Sequence, residues 1–452
     1  MESPAWSSQL AACLGTAGAA VGLGSIWRFP YLAGTGGGSA FILIFVGACV
    51  LIAMPLLVAE FALGRRSRRS PPEAAGAVAA AQGLSQGWNS IGILGAIAAF
   101  VIFSYYTVIA GLVLSYTWKC AAGLLMNAGT QGIGNVWQQF VSDPIQVGLW
   151  HLGFLALVVS ISARGLQQGI EASNNVRGPA LLLILCVLVL YSLKTGDVRR
   201  GLSFAFSPNF SAVNPHVVLA AIGQAFYATG VGQAMMIAYG AYMSPDTSLL
   251  RASMVVTGSI LLVSLLATLM VFPLVFGYGM DPAQGSQLVF EVLPRAFVEM
   301  PGGRAIGTLF FLLLVLAALS PSIACVEPSV AWLIQRWGLS RRQSVYFVTA
   351  AAWLLGVGSV LSFNRWSGWH PLSLVPALAD KTFFNVMDEA SANIMLPVGA
   401  LLTSVLVGWR LPGAFLTDEL PRARPFARVL VRWLLRYVCP IAILAVFAAA
   451  LS

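Results

Sequence analysis

The chain has 452 residues, 58% of them hydrophobic and only 9% charged, with a mean hydropathy of +0.83. Soluble globular chains carry about 25% charged residues, so the composition excludes a soluble protein and leaves little room for a soluble domain. The net charge of +9 is compatible with nucleic acid as a partner, but the positions of the charges point to a lipid bilayer instead.

Eleven apolar runs are long enough to cross a membrane. They lie near 8–32, 39–64, 87–120, 147–163, 168–193, 217–242, 251–276, 304–335, 342–362, 383–410 and 428–450. The first is no signal peptide: no basic segment precedes it, no small-residue cleavage site follows, and it contains Arg28. It also carries Gly15, Gly18, Gly22 and Gly24 within GTAGAAVGLGSIWRFP. Glycine weakens a helix by about 1 kcal/mol relative to alanine, so the cluster predicts a helix that breaks. At bilayer depth such a break is tolerated only where it lines a cavity or touches a solute. The sixth run has a second cluster, GQAFYATGVGQAMMIAYG over 223–240. Two interrupted helices at corresponding places in two halves predict a secondary transporter with its site at the midplane. Five spans per half is odd, so the halves, 8–193 and 217–410, would form an inverted repeat within one domain, with 426–450 as an accessory helix.

With the N-terminus inside, cytoplasmic loops collect thirteen arginines, among them Arg65, Arg66, Arg68, Arg69, Arg341 and Arg342, against eight basic residues outside. That excess sets orientation, and an odd span count puts the C-terminus outside. Cys13, Cys49, Cys120, Cys186, Cys325 and Cys439 lie in or beside apolar runs without paired spacing, so neither disulfides nor a structural metal are expected.

Ionisable groups within the spans are the functional candidates. Arg28 either snorkels outward or pairs across an aqueous pathway with Asp388 of the tenth span. Glu60 and Glu327 either hydrogen-bond the loosened backbone of a broken helix or carry protons. Tyr105 and Tyr106 sit mid-span, where one hydroxyl could meet a bound anion. Arg177 either snorkels to the cytoplasmic interface or reaches an ion site as a fixed positive charge.

AGAAVGLGSIWRFPYLAGTGGGSAF resembles the first helix of the neurotransmitter:sodium symporter family, which has the leucine-transporter fold. GQAFYATGVGQAMMIAYGAYM resembles its sixth helix, and LAALSPSIACVEP its eighth. GLQQGIEASNNVRGP resembles the glycine-x9-proline hinge of its fifth, with Gly169 and Pro179 correctly spaced. The resemblance implies an all-α membrane protein of eleven helices, of the bacterial amino-acid transporter type, with helices one and six unwound. It implies a substrate carboxylate held by amides around Leu23 and Gly24 and by Tyr106, and an amine held by carbonyls at Ala20 and Tyr227. Tyr227 would be the aromatic lid and Arg28 with Asp388 the outer gate. Ala228 lies beside the substrate, and Ile102, Gly230, Gln233 and Cys325 would line the side-chain pocket. Members that carry monoamines have an aspartate at the position of Gly22, so its absence favours an amino acid or similar zwitterion.

The ion sites depart from the pattern. At the first sodium site the matching positions are Ser25, Ala228 and Ile260, and the last two offer no side-chain oxygen. Sodium needs a cage of hard oxygens, as calcium does, so that site is expected to be lost. The second site keeps carbonyls at Gly18, Val21 and Ala317 and the hydroxyl of Ser320, while Pro321 replaces the other hydroxyl. Proline lacks an N–H and so frees the Ala317 carbonyl. Phe45 replaces a chloride-site tyrosine, although Ser264 matches a serine, and chloride is not expected. Ser3 and Gln335 stand where an inner-gate arginine and aspartate are usual.

The expectation is a sodium-coupled amino-acid carrier using the second site, in a bacterial inner membrane, as a monomer or loose dimer without nucleic-acid partners or organic cofactors. The alternatives are a proton-coupled or uncoupled carrier, or a non-transporting receptor. No nucleophile–base arrangement suggests an enzyme.

Overall fold

The computed structural model describes residues 5–207, 210–281, 288–375 and 378–450. Among them there is no β-strand, and nine helices are long and apolar enough to cross a membrane, or ten if one bent pair is a single span. The bent pair is α1 (Gln9–Ala20) and α2 (Gly24–Thr35), which meet at 53°. There follow α3 (Ser39–Ser67), α4 (Gln86–Ala121), α5 (Pro144–Ser162) and α6 (Leu166–Thr195). Two shorter helices come next, α7 (Pro215–Thr229) and α8 (Met235–Ala241). The chain closes with α9 (Leu249–Gly277), α10 (Gly303–Trp337), α11 (Arg341–Ser362), α12 (Phe383–Arg410) and α13 (Pro425–Ala448).

The helix breaks have local causes. Ser8 caps α1, its hydroxyl accepting from the Ala11 N–H. The helix stops where Val21 turns extended, at φ −75° and ψ 107°. Between α7 and α8, Gly230, Gly232 and even Ala234 take positive φ, at 69°, 84° and 56°. An alanine there costs about 1–3 kcal/mol, so the surroundings must hold this break open. Part of that hold is Glu60 of α3, whose Oε1 accepts from the Gly232 N–H at 2.7 Å. This is the backbone role expected of Glu60.

The two interrupted segments lie inside the bundle. Long α4 and α10 pack along each other, and α8 lies on the C-terminal half of α3. Any side chain at Gly240 would press on the Phe61 backbone at 2.6 Å, so glycine permits that close crossing. Glu327, expected to bond a loosened backbone, does something else. It is fully buried and paired with Arg341 at 2.7 Å, and it accepts from the Tyr242 hydroxyl at 2.6 Å. The first residue of α11, read above only as a loop charge, thus neutralises a buried carboxylate of α10.

Candidate functional site

Both breaks open onto one small cavity of about 30 Å³. The ends of α1 and α2 contribute Ala19, Ala20, Gly22 and Gly24, and α7 contributes Tyr227 and Ala228. Ile102 and Tyr106 of α4 form one wall, and Gln233, Met235, Pro321 and Cys325 complete it. The last carbonyls of a terminating helix have no following N–H, so the end of α1 turns acceptors toward this space. The start of α2 supplies donors and the positive end of its dipole. The Leu23 N–H donates to the Tyr106 hydroxyl at 3.2 Å, which leaves the phenolic hydrogen free to donate elsewhere. Cys325 donates to Gln233 Oε1 at 3.4 Å.

Eight of the ten residues expected at the substrate line this cavity. Leu23 does not line it and meets it only through that backbone bond. Gly230 is also absent: the space a side chain there would fill belongs to the Met235 thioether. The cavity therefore accepts an amino acid only if side chains such as Met235 move. Sequence reasoning missed Met235, Ala19 and the lining role of Pro321. A Cβ at Gly22 would collide with the Pro321 ring and lie 3.1 Å from the Tyr106 hydroxyl, so an aspartate has no space there. Gln224 was missed as well; its Nε2 donates to the Gly24 carbonyl at 2.7 Å and braces the start of α2.

A larger cavity of about 340 Å³ lies between α1, α6 and α9, with Gly18, Val21, Asn174, Arg177 and Ser320 on its walls. Arg177 does not snorkel. It is 8% exposed, and its Nη1 donates to Ser320 Oγ at 3.0 Å. Three of the four residues expected to hold sodium thus line one cavity with Arg177, which bonds Ser320 directly, while Ala317 is fully buried in α10. Arg177 ends a polar row along α6. Gln167 donates to the Ala5 carbonyl at 2.9 Å, Glu171 accepts from the backbone and hydroxyl of Ser7, and Asn174 donates to the Leu14 carbonyl at 2.9 Å. Spacings of three and four place these four side chains on one helix face. The row begins just after Gly165, at φ 93°, and ends before Pro179, which removes a helical donor. Gly169, within the row, packs directly on the Ile161 carbonyl.

The sodium:neurotransmitter symporter family model matches residues 3–138 and 140–452. The chain belongs to the sodium:neurotransmitter symporter family. Within this family, it is 34% identical to YhdH of Bacillus subtilis (strain 168), an uncharacterized sodium-dependent transporter, over 98% of this chain and 96% of that one. A sodium-dependent transporter of Haemophilus influenzae is 29% identical over 98% and 97% of the two chains. The crystal structure of MhsT in complex with L-phenylalanine superposes with a TM-score of 0.91 at 35% identity, covering 99% of both chains. This symporter-family chain is therefore a multi-pass membrane transporter and not an enzyme.

Its gates differ from the family pattern described above. Arg28 and Asp388 form no direct ion pair. The guanidinium lies 4.4 Å from the Tyr227 ring centre, and Asp388 accepts from the Tyr105 hydroxyl at 3.0 Å. Tyr227 thus faces the guanidinium and Tyr105 the carboxylate. Arg28 is only partly buried among these groups. Of the two positions expected at the inner gate, Gln335 accepts from the Ser70 N–H at 2.6 Å and donates to Glu73 at 2.5 Å, while Ser3 lies outside the described residues. The N-terminal segment is held instead by Glu171 and by Trp6, which donates to the Tyr239 carbonyl at 3.3 Å. At the first sodium position the Ser25 hydroxyl is buried without a partner, beside apolar Ala228 and Ile260. Phe45 packs on Phe29 at 4.6 Å, and Ser264 Oγ is buried without a partner.

Proposed function

We propose that this protein carries a small amino acid across a bacterial inner membrane by alternating access. The observation that carries the reading is the convergence of two helix breaks on one cavity, with Tyr106 beside the start of α2. The substrate carboxylate meets the N–H groups near Leu23 and Gly24 and the free phenolic hydrogen of Tyr106. The amine meets the carbonyls ending α1 and α7, at Ala20 and Tyr227. Tyr227 closes the site from outside with Arg28 and Asp388, and Gly169 and Pro179 hinge α6. The binding of L-phenylalanine by MhsT, a neighbour over the whole chain, supports the substrate class.

The architecture in this reading is one domain of eleven spans, with α7 and α8 together forming the sixth. Spans one to five (8–193) and six to ten (217–410) make an inverted repeat, and 426–450 is accessory. The N-terminus is cytoplasmic and the C-terminus external, and the protein works as a monomer or loose dimer. Chloride has no role, because Phe45 offers no hydroxyl.

Ion coupling turns on Arg177. Two unit charges about 4 Å apart repel by about 4 kcal/mol at an effective dielectric constant of 20, so sodium and the Arg177 guanidinium cannot share Ser320. In our reading Arg177 is the resident cation of the second site, and transport proceeds without sodium there. A second reading, favoured by the sodium-dependent relatives, has sodium displace Arg177 and bind Gly18, Val21, Ala317 and Ser320.

Uptake and counterflow of amino acids into proteoliposomes, with sodium replaced by choline at two pH values, tests the whole. Uptake that persists in choline supports the resident arginine. Strict sodium dependence selects displacement, and a pH-driven signal selects proton coupling. Binding without counterflow would reduce the protein to a receptor. Tyr106→Phe removes one hydrogen bond to a charged group, worth about 1.5–3 kcal/mol. Substrate affinity, read by calorimetry, is expected to fall roughly 10- to 100-fold; unchanged affinity would remove Tyr106 from the site.

A further inference from the structure

At the end of the molecule where α12 ends and α13 begins, the chain gathers Arg410, Arg424, Arg428, Arg432 and Arg436. Arg428, Arg432 and Arg436 repeat every fourth residue and so stack along one face of α13, and Arg424 directly precedes that helix. Among the described residues none of the five forms an ion pair. The carboxylates of the helix leading into α13 are already engaged, Glu419 by Arg65 at 2.8 Å and Asp418 by Arg66 at 3.3 Å. Asp246 is taken by Arg422 at 3.0 Å.

Three of these arginines lie along the groove where α13 packs on the end of α12 and the connection that follows it, each against a different group. Arg428 Nη2 donates to the Pro421 carbonyl at 2.6 Å and Arg432 Nη2 to the Leu411 carbonyl at 3.4 Å. Arg436 lies 4.6 Å from the centre of the Trp409 ring. Each guanidinium has five N–H donors, and the Nε of all three is buried without a partner. Positive charge and unmet donors are thus concentrated along this groove, with no carboxylate among the described residues paired to them. The surroundings fix its depth. Trp409 and Trp433 both pack on Tyr437, at 5.5 and 5.9 Å, and both tryptophans are exposed. Such aromatics mark the membrane–water interface. The groove therefore lies at headgroup level, beside an apolar helix.

We propose that this groove binds the phosphate of an anionic phospholipid, its acyl chains lying along α13 and its phosphate oxygens accepting from Arg428, Arg432 and Arg436. Phosphate geometry suits the planar, forked donors of arginine, and basic pockets between spans recruit acidic lipids. The site is independent of the substrate cavity.

The test titrates delipidated full-length protein with phosphatidylglycerol or phosphatidylcholine and follows retained lipid by native mass spectrometry. Phosphatidylglycerol is expected to bind preferentially and to raise the melting temperature, while inorganic phosphate alone does not. R428Q/R432Q/R436Q is expected to weaken phosphatidylglycerol binding roughly a hundredfold, at about a factor of five per arginine. Should the triple variant fail to fold, R428Q alone and 1 M salt on the wild-type protein provide the same contrast. Equal binding of both lipids, or binding indifferent to the substitutions and to salt, overturns the proposal. A melting shift with inorganic phosphate equal to that with lipid also overturns it, by assigning the groove to a soluble anion.

Discussion

Arg177→Met is expected to make uptake sodium-dependent: in choline the initial rate should fall roughly tenfold, about 1.4 kcal/mol, and sodium should restore it. The physical basis is the position of one charge. Arg177 is held in α6 with its Nη1 on Ser320 Oγ, beside Gly18 and Val21 of α1. It can therefore join α6, α10 and the end of α1 electrostatically, as a bound ion would. Methionine fills similar volume without charge, so it leaves the oxygen positions free and the space between the helices uncompensated. Sodium then stabilises whichever state it binds better, by its differential affinity. Arg177→Lys keeps the charge but loses the planar fork, and an intermediate dependence is expected. Rates measured in proteoliposomes across a sodium series decide the matter. If the methionine variant shows the ion dependence of the parent protein, the resident-cation reading is wrong.

The second large effect is on stability. Glu327→Ala strands Arg341, whose guanidinium donates twice to that carboxylate, at 2.9 and 2.7 Å, while its Nε holds the Ser162 carbonyl at 2.8 Å. The pair joins α10, α11 and the end of α5, and through Tyr242 the segment after α8. Removing one partner of a buried pair costs about 3–5 kcal/mol, a large share of the 5–15 kcal/mol typical of a folded domain. A clear fall in melting temperature in detergent is the measurable outcome. Glu327→Gln keeps an acceptor for Tyr242 but not the charge, and should fall between. A stable glutamine variant that loses only pH-driven uptake would instead make Glu327 a proton carrier. Glu60 differs in kind: one oxygen holds the Gly232 N–H and the other is buried without a partner.

Composition and the order of residues alone determined the membrane setting, the family and the two helix breaks. They also located most of the cavity wall. These are largely local properties: apolar run length decides what enters a bilayer, and glycine clusters mark where a helix can stop. Tyr106, Gln233 and Cys325 were legible through the resemblance of the chain to the family's helices. Only the tertiary structure decided the partners of long or charged side chains. Arg177 turned inward to Ser320, 143 residues away, Arg28 met Tyr227 instead of Asp388, and Glu327 found Arg341. Gln224 reached Gly24 across 200 residues, and Met235 took the room beside Gly230. A flexible side chain chooses among rotamers by what neighbouring helices present, and that choice is made only when the helices pack.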